Sequence, residues 1–64
     1  MRIKLRLLRE GALREVEGED ISEILEKVGF NTSSVILRRN GEVIIEEEVL
    51  DGDLVEVIPV VSGG

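Results

Sequence analysis

Apolar and charged residues alternate at the start of the chain. In MRIKLRLL, Ile3, Leu5 and Leu7 share one parity, and Arg2, Lys4 and Arg6 the other. A period of two predicts a strand over 2–8 with one buried and one solvated face. The REG at 9–11 is a turn signal around Gly11. ALREVE at 12–17 predicts a returning strand. Its Leu13 and Val16 have opposite parity, so a bulge is expected to reconcile them.

The period then changes. Ile21, Ile24, Leu25 and Val28 fall at i, i+3, i+4 and i+7, one apolar helix stripe. Asp20 with Glu23 three positions later is a capping-box pattern. Lys27 suits the last turn, and Gly29 suits the position after the helix that needs positive φ. A helix is predicted over about 20–29. It is too short to be stable alone and must lie on a sheet.

NTSS at 31–34 reads as loop, VILRR as a third strand, Asn40-Gly41 as a hairpin turn and EVII as a short fourth strand. EEEVLDGD is an acidic connector with a turn at Asp51-Gly52. LVEVIPVV is the fifth strand. Pro59 cannot donate to a ladder, so pairing is expected to fade there and the tail to leave the sheet. The fifth strand is the most apolar, which predicts a central position, beside the first. Val55 and Val57 would face the helix. Glu56 would face Lys4 or Arg6 across the open side, with Ile58 next to it. The expected fold is α+β: a mixed sheet of four to five strands with one helix packed across one face. Residues 1–60 form the domain and 61–64 a flexible tail.

Composition narrows the chemistry. The chain has 64 residues, one domain with a small core. It has no Cys and no His, which removes thiolate and imidazole metal sites and the Cys–His and Ser–His constellations. No paired-acid site stands out either, so no enzyme is expected. Fourteen acidic residues against eight basic ones give a net charge of −6, which argues against nucleic acid as a direct partner. No apolar run nears the roughly 20 residues of a membrane helix, and the opening is not a signal peptide. A cytoplasmic monomer is expected. The absence of Gln and Cys beside abundant Glu and Arg fits a thermophilic source.

Three surface groups invite a functional reading. Arg2, Lys4, Arg6, Arg38 and Arg39 are candidates for one basic patch on the open sheet face. With no Trp or Tyr and a lone Phe30, no stacking platform accompanies it. A solvated face paired to Glu56 and its neighbours is the simpler reading. Glu46, Glu47, Glu48, Asp51 and Asp53 form an acidic run that matches no calcium-loop spacing and reads as a solvated turn. Ile58, Pro59, Val60 and Val61 are apolar just before the tail. Ile58 serves equally as packing or as a docking contact, and Val60 and Val61 suit docking.

The order of elements, with RRNGEVI at 38–44, LDGDLVEVIPVVSGG at 50–64 and the helix at 20–29, resembles the ubiquitin-like β-grasp fold. It is most similar to the sulfur carriers of the ThiS and MoaD kind and to the small archaeal modifiers related to them. The resemblance covers essentially the whole chain, and its most specific part is the last fifteen residues. Val57 and Ile58 stand where molybdopterin-type carriers commonly have aromatic residues. The resemblance implies a protein co-substrate that binds no cofactor of its own. An activating enzyme related to the ubiquitin-activating enzymes would use ATP to adenylate the Gly64 carboxylate. A sulfur donor would then displace AMP and leave a thiocarboxylate. The sulfur would pass to a thiamin thiazole, a molybdopterin precursor or a tRNA base, or the activated terminus would acylate a lysine of another protein. Lys4 and Lys27 are the chain's lysines and its own possible acceptors, though each reads first as a solubilising or helix-end charge.

The chemistry of the tail is consistent with that role. An α-carboxyl with a reference pKa of about 3.5 is ionised at neutral pH. A carboxylate is a poor acyl donor but a competent nucleophile toward the α-phosphate of ATP. The tail must thread another protein's site, and Gly63 and Gly64, without Cβ atoms, allow close backbone approach. Val60 and Val61 stiffen the lead-in after Pro59, and Ser62 is a small polar hinge. The alternative from another class is a non-conjugating β-grasp interaction module that binds a partner through its sheet face.

Overall fold

The computed structural model describes residues 1–7 and 11–60. Its elements are β1 (Arg2–Leu7), β2 (Ala12–Glu17), α1 (Ile21–Lys27), β3 (Val35–Arg39), β4 (Glu42–Ile44) and β5 (Leu54–Pro59). Single turns of 3-10 helix lie at Thr32–Ser34 and Glu46–Glu48. The strands form one mixed sheet in the order β2-β1-β5-β3-β4. β5 runs parallel to β1 and antiparallel to β3, and the two hairpins β1–β2 and β3–β4 are antiparallel. This is the expected β-grasp arrangement, with the last strand at the centre and next to the first.

The core follows from the two periodicities. Ile3, Leu5 and Leu7 of β1, Val55 and Val57 of β5, Leu37 of β3 and Ile44 of β4 turn to the helix side. Ile21, Ile24 and Leu25 cover them from α1. Ile24 packs against the chain at Gly18, where a Cβ would come within 2.9 Å of its Cγ1. Val49 also belongs to the core, at 5% exposure. That residue sits inside the acidic connector and was not legible as core from the sequence. The 3-10 turn of Glu46–Glu48 faces its three carboxylates outward and rotates Val49 inward.

The helix has the expected caps and is shorter than 20–29. Asp20 is the N-cap, accepting from the Glu23 N–H at 2.9 Å. At the other end the Gly29 N–H donates to the Glu26 carbonyl and the Phe30 N–H to the Leu25 carbonyl, with Gly29 at φ 87°. This pair of bonds is a Schellman closure, and Phe30 and Leu25 both join the apolar cluster beneath it. Asn40 and Gly41 both take positive φ, 52° and 81°, the signature of a type I′ hairpin turn.

Several expectations are corrected. β2 pairs with β1 in unbroken register, Ile3 with Val16 and Leu5 with Arg14, so no bulge forms. Leu13 lies on the open face at 52% exposure, and Arg14 occupies a helix-side position that α1 leaves uncovered. Edge strands tolerate this, because a single helix cannot span five strands. β4 stops at Ile44 and leaves Ile45 exposed. Pairing also outlasts Pro59: the Val60 N–H donates to the Ser34 carbonyl at 2.8 Å. Leu8, expected in the first strand, and the tail 61–64 lie outside the described residues.

Candidate functional site

The candidate site is the end of β5 and the open sheet face around it. β5 is held on both sides, with Val57 opposite Leu7 and Leu37, and Pro59 opposite Val35. The strand that leads to the tail is therefore the central strand of the sheet, with paired strands on both sides. Val60 remains tied to Ser34 and is half exposed. Val61, Ser62, Gly63 and Gly64 lie outside the described residues.

Ile58 lies on the open face opposite Ile36, itself 39% exposed. Neither belongs to the core cluster, so this cross-strand pair is an apolar spot on the solvated side. Glu56 lies two residues before it. Arg6 is its ladder partner in β1, but its carboxylate goes to Arg38 of β3, at 2.8 and 3.3 Å. The Arg38 guanidinium holds the Glu56 carboxyl below its usual range, with Arg6 adding a smaller pull in the same direction, and Glu56 in turn raises Arg38.

The expected basic patch is only partly assembled. Arg2, Lys4, Arg6 and Arg38 share the open face, while Arg39 has the parity of Leu37 and turns to the helix side. There it donates to the Glu48 carbonyl at 2.9 Å and to Asp53 at 2.6 Å. Asp53 also accepts from the Leu50 N–H at 2.8 Å. That backbone bond, with Arg39 beside it, holds the Asp53 carboxyl below its usual range. Asp51 accepts from the Arg2 N–H at 2.7 Å and so ties the start of β1 to the connector. These members of the acidic run fasten the β4–β5 connection. Among the described residues no group of acidic side chains is placed to hold a metal ion.

A pH consequence follows. Both carboxyls have lowered pKa values in the folded chain, so their contribution is complete above the unfolded carboxylate range of about 4 and is lost as pH falls through the lowered folded values. Asp53→Asn should lower the thermal midpoint at pH 7 and narrow the gap to wild type at pH 2–3, as read by circular dichroism melts.

Lys27 closes the helix end, its Nζ donating to the Glu17 carbonyl at 2.5 Å and lying 3.6 Å from Glu23. Lys4 stands exposed on the open face between Glu15 and Leu54. No helix among the described residues is long and apolar enough to cross a membrane.

Comparison with known proteins bears on this geometry. The profile described as the ThiS family matches residues 5–64. The chain belongs to the ThiS family. The sulfur carrier protein TtuB of Thermus thermophilus is 34% identical over a 65-position alignment that spans all of both chains. The sulfur carrier protein ThiS of the same organism is 36% identical over 59 residues, covering 84% of this chain and 92% of the relative. An uncharacterized protein of Archaeoglobus fulgidus is 38% identical over 50 residues, 78% of this chain and 75% of its own. In this ThiS-family chain the matched stretch includes the central strand and the last two glycines, Gly63 and Gly64.

Proposed function

We propose that this ThiS-family chain is a sulfur carrier whose Gly64 carboxyl is adenylated and then thiocarboxylated by an ATP-dependent activating enzyme. The chain is the substrate of that enzyme and does no chemistry of its own. The observation that carries the reading is the reach of the family match, which runs through the β-grasp body to Gly64. The end-to-end alignment with a relative named as a sulfur carrier supports it.

The steps balance without a resident cofactor. A Gly64 carboxylate oxygen attacks the α-phosphorus of ATP, held by the enzyme, and pyrophosphate leaves. The mixed anhydride has a good leaving group, which the free carboxylate lacks. A hydrosulfide equivalent attacks the carbonyl carbon, AMP departs with the bonding electrons, and a thiocarboxylate remains. Its sulfur is then given to an acceptor bound by another enzyme, or a lysine amine takes the activated acyl group instead.

The fold contributes position. β5 is clamped between β1 and β3 up to Val57, β3 alone pairs with it on to Pro59, and the Val60–Ser34 bond extends that hold by one residue. The tail thus starts from a fixed point, which reduces the freedom lost when it enters the enzyme. Ile58, Ile36 and Val60 offer apolar surface beside that point for the enzyme to cover.

The first step is tested by exchange of labelled pyrophosphate into ATP with the activating enzyme of the same source. Exchange that depends on the chain and saturates with it is expected. Exchange that is unchanged when the chain is omitted contradicts the proposal.

A further inference from the structure

We propose that Lys4 is the amine acylated by the activated terminus of a second copy, so that the chain is an acceptor as well as a donor; this rests on the carrier reading above. The chain has two ε-amines. Lys27 is engaged: its Nζ donates to the Glu17 carbonyl, and Glu23 lies 3.6 Å away. An ammonium held by two acceptors must release them before its lone pair can attack a carbonyl. Lys4 is exposed, and among the described residues no hydrogen bond or ion pair holds its side chain.

The surroundings of Lys4 suit an incoming tail. Its ladder partner Leu54 lines a shallow cavity of about 250 Å³ on the open face, whose other walls are Arg6, Asn40 and Glu56. Lys4 is not among these walls but neighbours the cavity through Leu54, so a segment without side chains lying there passes beside the amine. Glu56 is already taken by Arg38. Arg6 lies on the same face as Lys4 two residues on, about 7 Å along the strand. Its guanidinium, which also acts on Glu56, supplies positive charge on that face for the negative leaving group. A chain's own tail starts at the far end of β5, roughly 17 Å from Leu54, and with Val60 tied to Ser34 the four residues that follow can span only about 14 Å, which favours a second copy as donor.

In the step itself the neutral Nζ of Lys4 attacks the Gly64 carbonyl carbon of the acyl adenylate. A C–N bond forms, the C–O bond to the phosphate breaks, AMP leaves with its electron pair, and the extra amine proton passes to solvent. No oxidant or reductant is involved.

Acetyl adenylate, a small mixed anhydride of the same class, ranks the two lysines on the native chain. At low conversion, peptide mapping should find Lys4 acetylated about fivefold faster than Lys27, a ratio set by the exposed ion pair and carbonyl bond that Lys27 must break. The ratio should fall toward one in denaturant. Equal rates on the folded chain, or a faster Lys27, overturn the proposal. With ATP and the activating enzyme, Lys4→Arg should lose the chain-to-chain isopeptide and Lys27→Arg should keep it. A charged Gly64 with no cross-link, or a cross-link mapped to Lys27, overturns the proposal and leaves the carrier reading intact. An uncharged Gly64 overturns both.

Discussion

Removal of Gly63 and Gly64 is expected to leave a chain that folds as before and can no longer be charged. The buried core of the described residues runs from Ile3 to Val57, and the last described ladder contact is made by Val60. A chain ending at Ser62 therefore keeps its stabilising contacts, and its melting temperature should be unchanged. Its carboxylate, however, falls two residues short of the nucleotide and carries a side chain into a passage suited to glycine. Even small misplacement of reacting atoms costs about a hundredfold, so chain-dependent pyrophosphate exchange should drop by at least about that factor. A β-grasp interaction module acting through its sheet face would keep its partner after the same truncation. Pull-down by the truncated and full chains thus separates the two readings.

The second large effect is on the fold. Leu25→Ala should bring the chain close to global unfolding. Leu25 is fully buried, and it contacts the sheet while its carbonyl closes the helix end through Phe30. Truncation of a buried Leu costs about 2–5 kcal/mol. A domain of this size holds roughly 3–10 kcal/mol in total, at about 0.05–0.15 kcal/mol per residue. Urea titration should show a midpoint lowered by about half or more. Ile36→Ala, on the open face, should shift stability by less than about 0.5 kcal/mol and serves as the control. A small effect of Leu25→Ala would mean that α1 does not close the core as described.

Much of this was legible because the sequence changes period cleanly. Alternation in 2–7, the helix stripe from Ile21 to Val28 and the Asn40-Gly41 turn each signal one element, and each is where expected. Centrality of the last strand followed from its apolar run, and Val55 and Val57 are fully buried. Failures have local causes. Arg39 was grouped with Arg38 by adjacency, although parity sets them on opposite faces and lets Arg39 reach Asp53. Leu13 suggested a bulge because an apolar residue was assumed to need cover, and an edge strand does not demand it. Val49 was hidden by its acidic neighbours, since a single 3-10 turn has no period long enough to read. Glu56 does lie opposite Arg6 of β1 as expected, and only its hydrogen-bond partner, Arg38 of β3, went unforeseen. The tail is a different case: its residue types state what the terminus can do, and the family match extends to Gly64.

Gly64 as the residue that carries the sulfur is tested most directly by one measurement. The chain is incubated with ATP, its activating enzyme and a sulfide source, and its intact mass is taken before and after alkylation. With no cysteine in the chain, no native thiol competes for the alkylating reagent. The prediction is a mass gain equal to exchange of one oxygen for sulfur, with the alkylated group mapped to Gly64. An unchanged mass under conditions where the enzyme consumes ATP with the chain, or sulfur found on any other residue, contradicts it.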